Sequence, residues 1–220
     1  MKLRLLCSLV VIGLAYAVVA AAGPPPFPPP TIHGTYAVVG SLACLNAPGF
    51  SPGSSTNPTP GVPLPNSGFN ANFDPIYPDS SFANIADIEG VFTFDGHGNG
   101  TRSGTNVSMT PRPTPGPAGN YPAFGPSMSS NTFTGSFTYV VNSDGTFTFV
   151  TSDTTGTFLT GGRTGQTFSV NVIEGTGMIG EGGLTLTLAT ITPTVETIVF
   201  SNGDAWPRVC HRQRTLTKIH

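Results

Sequence analysis

The chain has 220 residues, of which 9% are charged, and it carries 28 glycines, 22 prolines and a net charge of −2. This balance excludes a basic nucleic-acid-binding protein, because such proteins need an excess of lysine and arginine to neutralise phosphates. Abundant threonine and serine beside the glycine and proline indicate an extracellular all-β protein. A chain of this length can bury one sizeable core.

The first 22 residues have the features of a secretory signal peptide. Lys2 and Arg4 precede an apolar run over residues 5–19, and small alanines follow it. The run is shorter than the roughly 20 residues of a spanning helix, so we expect no transmembrane span in the mature chain; a retained membrane anchor is the alternative. Removal of residues 1–22 would leave seven basic and eleven acidic residues, a net charge of −4. The predicted location is secreted, periplasmic or extracellular.

Proline divides the remaining chain into a spacer and one folded domain. Residues 23–33 include GPPPFPPP, which has few backbone donors and a fixed φ, as in an extended polyproline spacer. The predicted domain covers residues 34–220. Proline- and glycine-rich segments at 46–84 and 110–130 predict irregular insertions, which in a compact domain are commonly functional.

Alternation of apolar with polar residues predicts β-strands. The clearest example is a hairpin at 131–151, where Phe, Tyr and Val alternate with Thr and Ser around the turn residues Asn-Ser-Asp-Gly at 142–145. The glycine-dense segment 175–183 predicts a loop. Other strands are predicted at 34–45, 85–94, 101–109, 157–159, 166–173, 184–191, 195–201 and 208–219. The pattern predicts an antiparallel β-barrel of about 8–10 strands, with a β-sandwich as the alternative.

Two cysteines follow the predicted signal peptide, Cys44 in the first strand and Cys210 in the last. In an oxidising compartment the simplest prediction is a disulfide between them, with two buried thiols or intermolecular pairing as the alternatives. The bridge would bring the first strand to the last. This link favours the barrel, because closure makes these strands neighbours and removes both exposed edges.

Three segments resemble those of a known group of proteins. They are VFTFDGHGNGTRSG at 91–104, FTGSFTYVVNSDGTFTF at 133–149 and VCHRQRTLTKI at 209–219. They resemble short exported bacterial proteins without an assigned function. More distantly, the strand and turn pattern is similar to small antiparallel barrels of the lipocalin and allene-oxide-cyclase kind. The resemblance implies export and a barrel fold, and it implies no reaction, cofactor or functional residue.

Three aromatic residues that precede proline are candidate ligand contacts: Trp206, Tyr77 and Tyr121. Exposed rings held on stiff loops could stack on a sugar or another ligand. The alternative is that these loops cover one end of the barrel and bury the rings.

Arginine recurs on one face of the last predicted strand, and Arg212 is a further candidate ligand contact together with Glu196. If this face points inward, each arginine needs a carboxylate partner, because an unpaired buried charge is costly. Such a cluster would indicate a ligand or reaction site; a solvated face is the alternative. The arginines are Arg208, Arg212 and Arg214, and the possible partners are Glu89, Glu174 and Glu196.

The segment DGHGNG at 95–100 resembles the start of a calcium loop. His97 is the wrong ligand type at the third position, and Asn106 stands where a bidentate glutamate is required. We therefore predict a hairpin turn here, with no metal and no cofactor.

These observations favour an exported, non-catalytic β-barrel that binds a small ligand or a surface partner such as an envelope component. One alternative is an enzyme of the cyclase, isomerase or hydrolase kind with a polar barrel interior, for which Glu196, Arg212 and His211 are the first candidates. Another is a structural or adhesive envelope protein that uses the proline-rich spacer. The interior of the predicted barrel would distinguish these functions. An apolar cavity favours a ligand carrier, and a cavity lined by Glu and Arg favours an enzyme.

Overall fold

A computed structural model describes residues 31–47, 68–76, 81–111, 127–152, 154–171 and 173–220. The predicted signal peptide, most of the predicted spacer and much of the two predicted insertions lie outside these residues. The described chain forms one antiparallel sheet of eleven strands, which confirms the all-β prediction. The strands are β1 (His33–Asn46), β2 (Phe82–Asp95), β3 (Asn99–Thr110), β4 (Ser127–Val141), β5 (Thr146–Thr151), β6 (Thr154–Phe158), β7 (Thr167–Val170), β8 (Glu174–Ile179), β9 (Thr185–Ala189), β10 (Val195–Phe200) and β11 (Ala205–Lys218).

The sheet closes on itself because β1 pairs with β11 as well as with β2. The pairing β1-β2-β3-β4-β5-β8-β9-β11 returns to β1 and defines the first ring. A second closed path, β1-β2-β3-β4-β6-β7-β10-β11, defines the second ring. The rings share the five long strands, since β4 pairs first with β6 and then with β5, and β11 pairs first with β10 and then with β9. The prediction of one sheet wrapped into a barrel-like ring is confirmed.

The predicted disulfide joins the two strands that close both rings. Cys44 of β1 lies directly opposite Cys210 of β11, with their Cα atoms 4.1 Å apart and their sulfurs bonded. Both residues are buried beside Leu42 and Ala86. The bridge therefore fastens the first strand to the last, as the positions of the two cysteines predict.

The central hairpin has the predicted form. Asn142 donates its backbone N–H to the carbonyl of Thr146 at 2.8 Å, and Gly145 occupies the turn with φ of 82°. The inward residues of β4 and β5 belong to a buried aromatic core that fills the first ring. The largest members of this core are Tyr36, Phe92, Phe94, Phe137, Tyr139, Phe147, Phe149, Leu186 and Leu216.

Glycines stand opposite phenylalanines across the sheet. A glycine leaves space above its own strand, and the inward ring of its partner occupies that space, as the narrow interior of a small barrel requires. The pairs are Gly100–Phe137, Gly104–Phe133, Gly156–Phe168, Gly175–Phe149 and Gly177–Phe147.

This pairing corrects the prediction of a loop at 175–183. Glycine disfavours an exposed strand, but Gly175 and Gly177 are covered by Phe149 and Phe147 and lie within β8. The strand count is therefore eleven rather than about 8–10. β4 also begins at Ser127, inside the predicted insertion at 110–130, and β2 begins at Phe82, inside that at 46–84.

Gly177→Ala should lower the free energy of unfolding by about 1–3 kcal/mol, the usual cost of overpacking. A Cβ at this position would collide with the Phe147 ring and the Thr187 carbonyl. Gly162→Ala is the matched control, because a Cβ there meets no atom within 4 Å, and its effect should stay within about 0.5 kcal/mol. Urea denaturation of both variants measures the difference, and equal effects would contradict the packing argument.

Candidate functional site

A cavity of about 290 Å³ occupies the second ring, whereas the first ring is filled. Four strand ends line it, namely the last residues of β1 and β3 and the first residues of β2 and β4, so it lies at the outer end of the ring. Its apolar walls come from strands on all sides. The apolar and aromatic lining residues are Leu42, Phe82, Met128, Phe158, Phe168, Ile198, Phe200 and Trp206.

Asparagine and serine side chains, together with Thr110, Arg163 and Arg208, provide the polar part of the cavity wall. Asn46 donates to the Asn84 side-chain oxygen at 2.8 Å, and the hydroxyls of Ser108 and Ser129 lie 2.8 Å apart. Asn106 differs from them, because its Oδ1 is buried without a hydrogen-bond partner among the described residues. A buried acceptor without a donor costs about 1–3 kcal/mol, so this wall is suited to a molecule that brings a donor.

Trp206 lies in this wall within a cluster of rings and one cation. It makes edge contacts with Phe200 and Phe82, with ring centroids 4.8 and 5.5 Å away. The guanidinium carbon of Arg163 lies 4.4 Å from the Trp206 ring and 3.9 Å from the Phe200 ring. Arg163 also forms a salt bridge of 3.1 Å with Asp204. These contacts hold the indole against the cavity.

A hydrogen bond from Asn202, together with Arg163, holds the pKa of the Asp204 carboxyl below its ordinary value. The salt bridge is therefore formed at neutral pH. The turn that carries Asp204 is fixed to the segment that carries Arg163, at the rim of the cavity.

A group of buried charges lies between the two rings. Glu196 of β10 accepts hydrogen bonds on Oε1 from Arg208, at 2.6 Å, and from Arg212. Burial raises the pKa of Glu196, but the two arginines lower it more, so the carboxyl titrates below its ordinary value. The arginine face of β11 points inward rather than to solvent, and Glu196 is its carboxylate, whereas Glu89 and Glu174 are exposed.

Two further arginines belong to the same group. Arg102 of β3 is 3% exposed and donates to the Thr154 hydroxyl of β6, and burial lowers its pKa to about 10. Arg214 is 5% exposed, and its guanidinium carbon lies 5.7 Å from the centre of the Phe92 ring. Four guanidinium groups thus lie near one carboxylate where the sheet divides between the two rings.

No family model matches the sequence, and no curated protein or solved structure is similar to it.

The structure separates the residues that the sequence nominated as ligand contacts. Trp206 is part of β11 rather than of a loop, and its half-buried ring faces the cavity. Glu196 and Arg212 form a buried ion pair and do not belong to the lining of the cavity in the second ring. Tyr77 and Tyr121 lie outside the described residues. His211 is exposed on the outer face, away from Glu196 and Arg212.

Asp95 stabilises the turn between β2 and β3. Its Oδ1 accepts the backbone N–H groups of His97 and Asn99 at 2.7 and 2.9 Å, and Oδ2 accepts the Asn99 side chain at 3.1 Å. These bonds lower the pKa of the exposed carboxyl. Both oxygens are thereby used to fold the hairpin turn that the sequence predicts.

Among the described residues, one group of three side chains brings potential metal-ligand atoms within 4.8 Å of one another: Cys44, Glu196 and Cys210. Its two sulfurs are joined in the disulfide, and its carboxylate is paired with arginines. This group therefore offers no ready ligand set for a metal. Among the same residues, no helix is long and apolar enough to cross a membrane.

Sequence reasoning missed several polar residues of the interior. Arg102 and Asn106 point inward from β3, whose other inward residues are glycine, serine and threonine, so this strand carries no apolar periodicity. The signal that could have found Arg102 is its register opposite Phe92, a buried residue of β2.

Proposed function

We propose that this is an exported, non-catalytic binding protein that holds a small, partly apolar molecule in the cavity of the second ring. The observation that carries the proposal is the aromatic cavity beside a first ring that is filled by its own side chains. Small-molecule sites are commonly concave, mostly apolar and equipped with a few fixed polar groups. The mouth of a closed antiparallel ring is a usual place for them.

The wall of the cavity indicates the kind of molecule. A volume of about 290 Å³ is close to the lower limit of ~300–1,000 Å³ for such sites, so the ligand is small. The rings of Phe158, Phe168 and Trp206 favour an aromatic or aliphatic body. Asn106 Oδ1 requires a hydroxyl or N–H group on the ligand.

The enzyme alternative depended on Glu196 and Arg212 acting in a polar interior. The charge of Glu196 is paired with Arg212 and Arg208, and of these three residues only Arg208 reaches the lining of the cavity in the second ring. A carboxylate engaged by two guanidinium groups is a poor general base, because its pKa is lowered. These contacts support a structural role for the pair and favour binding over catalysis.

Trp206 provides a direct test, because it is the single tryptophan of the chain and lines the cavity. Titration with the neutral fluorophore N-phenyl-1-naphthylamine should quench Trp206 emission by energy transfer in a saturable, one-to-one manner. Leu42→Phe adds volume to the cavity wall and should weaken binding of the probe at least tenfold.

Val140→Phe is the matched control, because it adds a ring at a position that is 63% exposed on the outer face. Its affinity for the probe should equal that of the wild type. Absence of saturable quenching in the wild type, or equal affinity in the Leu42→Phe and Val140→Phe variants, would overturn the proposal. Native mass spectrometry of protein from its natural source then identifies the bound molecule.

A further inference from the structure

Arg214 is a buried cation without a counter-ion. Among the described residues its side chain has no hydrogen bond and no salt bridge, and its Nε is buried without a partner. Its guanidinium carbon lies 5.7 Å from the centre of the Phe92 ring, and Glu196 attracts it only at a distance, without a hydrogen bond or salt bridge. An unpaired charge in a protein interior is expensive, so a fold that retains one usually provides a partner.

The neighbouring positive charges increase the need for a negatively charged partner at Arg214. Arg212, two residues along β11, shares Glu196 with Arg208, and Arg102 donates to an uncharged threonine hydroxyl. Four guanidinium groups against one carboxylate leave three positive charges uncompensated in this group. Burial lowers the pKa of Arg214, and repulsion from the charges of Arg102 and Arg212 lowers it further.

A small void adjoins Arg214. It measures about 10 Å³ and is lined by Arg212 and Arg214 together with Phe149, Leu188, Thr190 and Glu174. A volume of roughly 10–15 Å³ on this measure holds one water-sized particle. Glu174 is exposed and forms no salt bridge with either arginine, so its carboxylate does not neutralise the site.

We propose that this void is a binding site for one small inorganic anion of the halide class, with chloride as the natural occupant. A monatomic anion accepts hydrogen bonds from N–H groups in several directions and has no hydrogen of its own that needs an acceptor. It also fits a space of about one water molecule. A carboxylate or phosphate group exceeds that space. The site lies between the two rings and not in the cavity of the second ring. The proposal is therefore independent of ligand binding in that cavity.

Bromide makes the site visible, because it replaces chloride and scatters anomalously. Crystals of the wild-type protein grown with sodium bromide should show an anomalous peak between the guanidinium groups of Arg212 and Arg214. A water molecule in that position, with no anomalous signal at high bromide, would overturn the proposal. This measurement requires no variant and therefore does not depend on the stability of a mutant.

Unfolding provides the second measurement. At constant sodium concentration, replacing gluconate with chloride should raise the folding equilibrium constant by a factor of one plus the ratio of the chloride concentration to its Kd, roughly 100-fold when chloride reaches 100 times its dissociation constant. Arg214→Met removes the unpaired guanidinium and should abolish this dependence. Lys218→Met, which removes one positive charge from the same strand outside the void, should retain it. Equal chloride dependence in both variants would mean general screening and would overturn the proposal.

Discussion

Glu196→Gln should lower the free energy of unfolding at pH 7 by about 3–5 kcal/mol, the usual cost of breaking a buried ion pair from one side. Glutamine has nearly the shape of glutamate but no charge. Arg208 and Arg212 would lose the carboxylate that accepts their hydrogen bonds, and Arg212 would remain buried with an unpaired charge. Urea denaturation of the two proteins measures the loss.

The pH dependence of this loss distinguishes the effect of removing the charge from the effect of changing the side-chain shape. Because the pKa of Glu196 is lowered in the folded protein, its carboxylate stabilises the fold fully above the ordinary value of 4.5, and this stabilisation decreases as the pH falls through the lower folded value. The difference between wild type and Glu196→Gln should therefore be largest at neutral pH. It should shrink towards zero in acid, where both side chains are neutral.

Glu89→Gln is the matched control, since Glu89 is exposed on β2. Its effect should remain within about 0.5 kcal/mol at every pH. If Glu196→Gln behaves like Glu89→Gln, the carboxylate does not hold the arginines together, and the description of the buried charges is wrong.

The strands and the disulfide could be predicted from local patterns. Most inward residues of the central hairpin are apolar and most outward ones are polar, so period-2 alternation identifies β4 and β5 directly. Two cysteines in the first and last strands leave one simple pairing. These features depend on residues close in sequence, or on a covalent rule, and they need no knowledge of the partner strand.

The interior could not be predicted, because it depends on register. The strand at β8 is hidden in a glycine-rich sequence, and it is recognisable only when Phe147 and Phe149 are known to lie opposite its glycines. The division of the sheet into two rings arises because β4 and β11 each change partners part-way along. The cavity and the cluster of arginines both follow from that division, so the sequence could nominate Glu196 and Arg212 but not their place between the rings.

Removal of the disulfide in a Cys44→Ala, Cys210→Ala double variant should lower the free energy of unfolding by up to about 5 kcal/mol. The two cysteines are 166 residues apart in sequence, and a cross-link that closes so long a loop restricts the unfolded chain by approximately this amount in the chain-entropy model. β1 and β11 remain paired through their backbones in the variant. We therefore expect the same fold with a lower urea midpoint.

The slope of the urea transition shows whether the disulfide acts on the folded or on the unfolded state. An unfolded chain without the cross-link is more expanded and exposes more surface, so the dependence of the free energy on urea should become steeper. Wild-type protein unfolded with a phosphine reductant should reproduce the midpoint and the slope of the double variant. A loss below about 1 kcal/mol with an unchanged slope would show instead that backbone pairing between β1 and β11 closes the ring without help from the bridge.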